Sequence, residues 1–449
     1  MTRIYLILLC LLCTVASRGA VLDFDGADYT QTGVYIKDLS TGKVIVDHNS
    51  RVALTPASVM KALTSATALE MLGADFRFET RVALAGKRAP GNRRCWQGDI
   101  VIYGSADPTL GSDQFKDYGG MSDSIIAAVQ RLGIAEITGS VVIVERLRDA
   151  GPIPTWECED IAWPYGAGLH GFNYAGNYVR AIPSKGITRP ASTLKIKVFP
   201  ADGDKTDLMR GALADNLTVW ASAKTRKNPD WSTNVSVPDP AAVYAGVLLG
   251  RLRGAGITVG HAPTNADRDD ATTIYIHRSP TAAEIMTNLM KRSDNLFAEG
   301  MLRAIDPEGS RADCIKAEKE YWTDRGLDAK YTIVCDGSGL SRANKLSPAF
   351  LGRVLETMIR GELAETYLSF FPVAGVDGTL KSFARKTRLK GRLALKTGSV
   401  GAVQTYAGYK LDWEGKPTHV VVVMVNGFFC PRAELRGAIE KMLLNTFKQ

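Results

Sequence analysis

The sequence predicts an α+β protein: an antiparallel sheet with helices on its faces, interrupted by a large β-rich insertion. Three observations lead there. Near the end of the chain Leu393–Lys396, Thr405–Leu411 and His419–Asn426 read as strands of one antiparallel sheet, followed by a helix over Arg432–Phe447. Helical spacing also covers Ala57–Leu72 and the stretch from Ser279 through Lys291. Three short polar motifs, Ser58-Val59-Met60-Lys61, Ser293-Asp294-Asn295 and Lys396-Thr397-Gly398, are unevenly spaced: 235 positions separate the first two serines, but only 103 separate Ser293 from Lys396. If one domain carries all three, a large insertion lies between the first and second.

In chain order, Arg3 precedes an apolar run from Ile4 to Val15, and Thr14-Val15-Ala16 offers small residues before Ser17. That run is too short to span a bilayer, so residues 1–20 read as a secretory signal peptide. No later segment reads as a membrane span, and export follows. Val34 to Asp47 is expected to form a hairpin around Ser40-Thr41-Gly42-Lys43. A helix from Ala57 to Leu72 then has Thr55 as N-cap, Pro56 as its first residue and Gly73 as its stop. Inside the gap Phe78–Leu84 and Asp99–Tyr103 read as strands. A helix at Ser122–Leu132 and a strand at Ile137–Val144 follow. Leu194–Phe199, Leu217–Ala221 and Thr233–Val237 are further strands, a helix at Ala241–Arg253 returns the chain, and Thr273–His277 leads back. The second motif falls in a short break between helices, and Tyr331–Cys335 reads as a strand. The expected division is therefore 21–82 with 280–449 as the motif-bearing domain, 83–158 with 238–279 as an inserted α/β domain, and 159–237 as a second, β-rich insert.

The 45% hydrophobic and 23% charged content is that of an ordinary folded protein. A net charge of +8, with no interleaved aromatics, gives no case for nucleic acid. Beyond residue 20 the cysteines are Cys95, Cys158, Cys314, Cys335 and Cys430, an odd number, so at least one is unpaired; Cys314 with Cys335 is the preferred pair. None has zinc-ligand spacing, and His48, His170, His261, His277 and His419 are scattered. No metal and no organic cofactor are expected.

Each motif alone is weak, because Ser40 to Lys43 and Ser192 to Lys195 also read S-x-x-K, and Ser232-Thr233-Asn234 reads S-x-N. Context separates them. Ser40 sits in a turn, and Ser192 and Lys195 would face opposite sides of a strand. Ser58 and Lys61 share one helix face about a turn apart, with Ser58 in the first turn, where the helix dipole favours negative charge. A serine hydroxyl needs a neighbouring base, and a desolvated lysine can be one. Two lysines and two serines in one cleft disfavour two protonated amines, so one lysine would have a depressed pKa. Gly398 marks where a strand lets a ligand or another backbone come close. Together the motifs make an acyl-transfer site, and they are a known signature of serine β-lactamases and penicillin-binding proteins.

With these residues placed, the chain resembles the D-alanyl-D-alanine carboxypeptidase/endopeptidase family, the class C low-molecular-mass penicillin-binding proteins. The resemblance also rests on Ser105-Ala106-Asp107-Pro108-Thr109-Leu110, on Leu296 to Glu299 after the second motif, and on Asp336-Gly337-Ser338-Gly339-Leu340-Ser341-Arg342. Pro372 to Leu380 and Ser399 complete it. It implies the β-lactamase/penicillin-binding-protein transpeptidase-like fold with a helical subdomain. It also implies a peptidoglycan stem peptide as substrate and β-lactam antibiotics as covalent inhibitors. Carried over by position, Ser58 is the nucleophile, Lys61 its base, Ser293 with Lys396 the proton relay to the leaving D-alanine, and Asn295 orients Lys61 and the substrate. Thr397, Gly398 and Ser399 would line the substrate strand, with an oxyanion hole from the N–H groups of Ser58 and Ser399. Arg342 would bind an acidic group of the stem or else form an ion pair within its loop. The family often carries a polar side chain where Gly401 stands. The family's habit places the protein in a periplasm. A serine β-lactamase and a catalytically silent cell-wall binding protein are the competing readings.

Overall fold

An unbroken apolar run such as Val420–Val425 suits only a strand covered on both faces, and it lies in the middle of the main sheet. In the computed structural model, which describes residues 21–115, 120–203 and 205–448, five strands build that sheet. They are β1 (Gln31–Asp38), β2 (Val44–His48), β3 (Leu393–Val400), β4 (Val403–Leu411) and β5 (Pro417–Asn426). Their spatial order is β3-β4-β5-β1-β2, and every neighbouring pair is antiparallel. Alternate residues of β5 enter different cores: Val420, Val422 and Met424 pack with Tyr35 and Tyr409, while Val421, Val423 and Val425 pack on the other side. That second side is covered by Leu435, Ile439 and Leu443 of the last helix, Arg432–Thr446. The expected signal peptide, 1–20, lies outside the described residues.

The first side carries the helices that build the site: α1 (Met60–Leu72), α2 (Ala282–Arg292), α3 (Asn295–Ala304), α4 (Arg311–Asp324) and α5 (Pro348–Arg360). Every residue of α1 from Met60 to Leu69 is buried, so it is the central helix of this layer. Local signals set its neighbours. Thr281 and Glu284 form a capping box at the start of α2. Ser347 caps α5, whose first turn holds Pro348.

The inserted segments form their own sheets and cores. Glu79–Ala89 and Asn92–Tyr103 make a long hairpin, extended by Thr272–Arg278 on one edge and by short parallel strands on the other. Helices Met121–Arg131 and Pro240–Gly254 cover it through Ile125, Val129, Leu248 and Leu252. The first of these strands begins at Glu79, inside the stretch expected to belong to the motif-bearing domain. Residues 178–236 add two three-stranded sheets around Val179, Leu217, Val219 and Val235.

Five expectations fail in detail. Ala57–Val59 is a 3-10 turn and the α-helix starts only at Met60. Thr55 caps nothing: its N–H donates to Asn426 Oδ1 at 2.7 Å, and the sheet rather than a cap holds this turn. Ile137–Val144 splits into Glu136–Ile137 and Val141–Val144. Tyr331–Cys335 makes only a single bridge, Ile333 to Lys345, because Tyr331 and Ile333 face solvent with no strand to cover them. Cys314 and Cys335 are both free thiols: Cys314 is buried on α4 with Arg303 donating to its sulfur at 3.4 Å.

Candidate active site

The turn Ala57–Val59 is pressed against β3 and β4. Thr405 on β4 donates its hydroxyl to Pro56 O at 2.7 Å. A Cβ on Gly398 would lie 2.8 Å from the Ser58 nitrogen and 2.9 Å from Pro56 O. Only glycine lets β3 approach this closely, which is the role its position suggested. Ala57 carries the strain of the fit, with φ of 47°. The result fixes Ser58 at the mouth of the helix layer.

The second motif is a helix junction read residue by residue. Ser293 is the C-cap of α2 in the left-handed region, φ 62°. Asp294 is the N-cap of α3 and accepts from Phe297 N at 3.0 Å. Asn295 opens α3. Two consecutive caps thus turn the chain sharply enough to aim both Ser293 and Asn295 toward the first motif. Gln114 of the insert holds the other Asp294 oxygen at 2.5 Å.

All three motifs converge. Lys61 Nζ lies 3.0 Å from Ser58 Oγ, 2.7 Å from Asn295 Oδ1 and 2.5 Å from the carbonyl of Ser338. Lys396 Nζ lies 2.9 Å from Ser293 Oγ and 2.7 Å from Thr397 O. Both amines are completely buried. Burial lowers the Lys61 pKa to about 8, against the pull of Asp336, Glu299 and Asp294, which favour its charged form. Burial, and then the charge of Lys61, push Lys396 well below the ordinary lysine range. Both shifts work against two protonated amines in one site.

The remaining expected residues border this centre. Thr397 Oγ1 meets Thr379 Oγ1 at 2.8 Å, and Ser399 donates to Gln404 Oε1 at 2.9 Å. Asp377 fixes the Thr379 loop by accepting from Val373 N and from Lys291 Nζ, each at 2.7 Å. Arg342 is engaged by Glu159 at 3.1 Å and Glu157 at 3.5 Å, so its charge is matched by two carboxylates of the insert. Its guanidinium carbon would stand 4.0 Å from a side chain at Gly401. The decoys stay outside. Ser40 bonds Asp38 in an exposed turn. Ser192 faces Thr188, and Lys195 pairs with Asp215 at 3.6 Å.

Three groups gained their place only in the structure. Tyr165 O accepts from Asn295 Nδ2 at 2.8 Å, Trp156 Nε1 donates to Asp336 at 2.8 Å, and Glu299 accepts from Ser338 N at 2.8 Å. Tyr165 and Trp156 come from the insert and carry no local signal for this. Glu299 does, since it follows Asn295 by four positions on one helix face.

Comparison with known proteins agrees with the geometry. Residues 20–445 match the description of the D-Ala-D-Ala carboxypeptidase 3 (S13) family. A D-alanyl-D-alanine carboxypeptidase of Actinomadura sp. (strain R39) is 28% identical over 439 residues, covering 90% of this chain and 79% of that one. The D-alanyl-D-alanine carboxypeptidase DacB of Haemophilus influenzae is 25% identical over 428 residues, 89% of this chain and 86% of its own. The crystal structure of penicillin-binding protein 4 (DacB) from that organism superposes with a TM-score of 0.80 at 23% identity, covering 95% and 97% of the two chains. Its complex with a novel β-lactam superposes at 0.73, with the same coverage and identity. These structures share the fold described above.

Proposed function

From the premise that this chain belongs to the D-Ala-D-Ala carboxypeptidase 3 (S13) family and is a serine-type carboxypeptidase, we propose how its residues divide the reaction. Ser58 Oγ attacks the carbonyl carbon of the peptide bond before the terminal D-alanine. Lys61, in its neutral form, takes the hydroxyl proton. The single observation that carries this is the 3.0 Å contact between Lys61 Nζ and Ser58 Oγ. The other two Lys61 contacts, to Asn295 Oδ1 and Ser338 O, accept its N–H groups and leave its lone pair for the serine. As the C–N bond breaks, a proton reaches the departing amine through Ser293 and Lys396. Water then hydrolyses the ester and restores Ser58.

The N–H groups of Ser58 and Ser399 supply the oxyanion hole, and losing one such donor costs about 100-fold or more in rate. Thr397 and Ser399 receive the substrate along β3, with Gly398 allowing the close approach. For Arg342 to bind an acidic group of the stem it must exchange Glu159 or Glu157, so the ion pair is the state its surroundings favour. We take the substrates to be peptidoglycan stem peptides and the inhibitors to be β-lactams, which acylate the same serine. The bound β-lactam of the Haemophilus relative supports this. The apolar run after Arg3 and a cell-wall substrate support export, with the periplasm as the compartment. The separate buried clusters support dividing the chain into a catalytic domain and two inserts.

Labelling with a fluorescent penicillin and mass mapping of the adduct test the proposal. A stable adduct is expected on wild type and on Ser192→Ala, and none on Ser58→Ala. The labelling rate should climb as pH rises through about 8, where Lys61 becomes neutral. Rapid turnover of the penicillin would favour the β-lactamase reading, and no adduct on a folded wild type would sink the acyl-enzyme.

A further inference from the structure

Lys61 works as a base only if its lone pair points at Ser58, and that depends on where its other two acceptors stand. Asn295 Oδ1 is one. The second is the Ser338 carbonyl, a main-chain group in the loop after Asp336. Asp336 holds the far part of this loop, accepting from Gly339 N at 2.8 Å and Ser341 N at 2.6 Å. The near part is held differently: Ser338 N donates to Glu299 Oε1 at 2.8 Å and Gly337 N to Glu299 Oε2 at 3.3 Å. One residue, Ser338, therefore receives Lys61 on its carbonyl and gives its N–H to Glu299. Glu299 is 2% exposed, one helical turn below Asn295 on α3.

We infer that Glu299 is a positioning residue for the acylation step, holding the Gly337–Ser338 backbone so that the Ser338 carbonyl aims Lys61 at Ser58. The inference rests on the assignment of Lys61 as base. It explains why a carboxylate is kept inside an apolar helix, since it is the group that accepts from two backbone N–H groups at once. The charged groups felt at Glu299 are Asp336 of the loop and Arg311 of α4; Glu318 of α4 and Lys61 of α1 feel Glu299 in turn. Burial and then Asp336 push the Glu299 pKa up to about 7, so above that pH it is a carboxylate, and its charge favours protonated Lys61.

Glu299→Gln keeps the shape but removes the charge and one acceptor. Acylation of the variant by the fluorescent penicillin should fall about 10–100-fold on its pH plateau, as expected for a misplaced reacting group. Its acidic limb should move to lower pH, because the carboxylate that favours charged Lys61 is gone. Its thermal midpoint at pH 8 should change little, because the buried charge removed offsets the acceptor lost opposite the backbone N–H. Wild-type rate and limb in a folded Glu299→Gln, or a lower midpoint with unchanged kinetics, overturn the inference. Should Glu299→Gln fail to fold, Glu299→Asp decides. A lower plateau with the limb in place supports the inference, and a wild-type plateau overturns it. A wild type that takes no adduct on Ser58 overturns the site assignment itself, which is a different result from a normal wild type beside an unaffected variant.

Discussion

A methyl group added to Gly398 would sit 2.2 Å from Thr405 Oγ1 as well as 2.8 Å from the Ser58 nitrogen. Gly398→Ala must therefore push the Ser58 turn off β3, breaking the Thr405 bond to Pro56. Overpacking of this kind costs about 1–3 kcal/mol of stability. The larger effect falls on chemistry, because the displaced N–H belongs to the proposed oxyanion hole: acylation by penicillin should drop by about 100-fold or more. A rate within a few-fold of wild type would show that the turn does not depend on this contact. At this scale the sequence is legible where chemistry demands a residue type at a fixed spacing. Ser58 with Lys61, and Lys396 with Gly398, stand out because a nucleophile needs a base and a close strand needs glycine. The same S-x-x-K spacing at Ser40 and Ser192 was separated by turn and strand context alone. The motif around Glu299 gives it no role, since its partners are main-chain N–H groups 38 and 39 positions away.

The loop from Asp336 to Asn344 acts as a unit. Besides Gly339 and Ser341, Asp336 accepts from Asn344 Nδ2 at 2.7 Å and from Trp156 Nε1 of the insert at 2.8 Å. Gly339 has φ of 79°, and its missing side chain makes room for Ala57 O. Asp336→Ala would leave Gly339 N, Ser341 N and Trp156 Nε1 without an acceptor and Asn344 Nδ2 with Ser341 O alone. At roughly 1–3 kcal/mol per orphaned group before relaxation, the loss is several kcal/mol. We expect a clearly lower midpoint of denaturant unfolding and a shifted Trp156 fluorescence maximum; an unchanged midpoint would refute the unit. Elements with their own pattern were read well, among them β4, β5 and the helix at Pro240–Gly254. Those whose form depends on distant neighbours were not. The Ser58 turn is 3-10 because β3 and β4 grip it, and Tyr331–Cys335 lacks a partner strand that its apolar residues alone suggested.

Across the whole molecule, the helix layer buries acids that do no evident chemistry. Glu318 is 1% exposed; Thr67 Oγ1 donates to one oxygen at 2.8 Å, and the other has no hydrogen-bond partner among the described residues. Burial raises its pKa to about 7. Such a group is held more tightly protonated in the folded chain, so the folded state loses stability as pH rises from about 4.5 to about 7. Glu318→Gln should behave like wild type near pH 5 and gain on it by about 2–3 kcal/mol at pH 8, read from urea unfolding at the two pH values. A constant difference would place the penalty elsewhere. At this scale the spacing of the motifs foretold the insertion, whereas the reach of Tyr165 and Trp156 into the centre had no trace in local sequence. The sheet order also has a consequence in time. β1 pairs with β5 from Gln31↔Asn426 to Asp38↔His419, so the first strand made waits for the last. At about 5–20 residues per second, roughly 20–80 s of synthesis separate them. Until β3 emerges, the Ser58–Lys61 pair lacks Lys396 and the Gly398 strand that grips its turn, so the site is assembled only when synthesis is nearly complete.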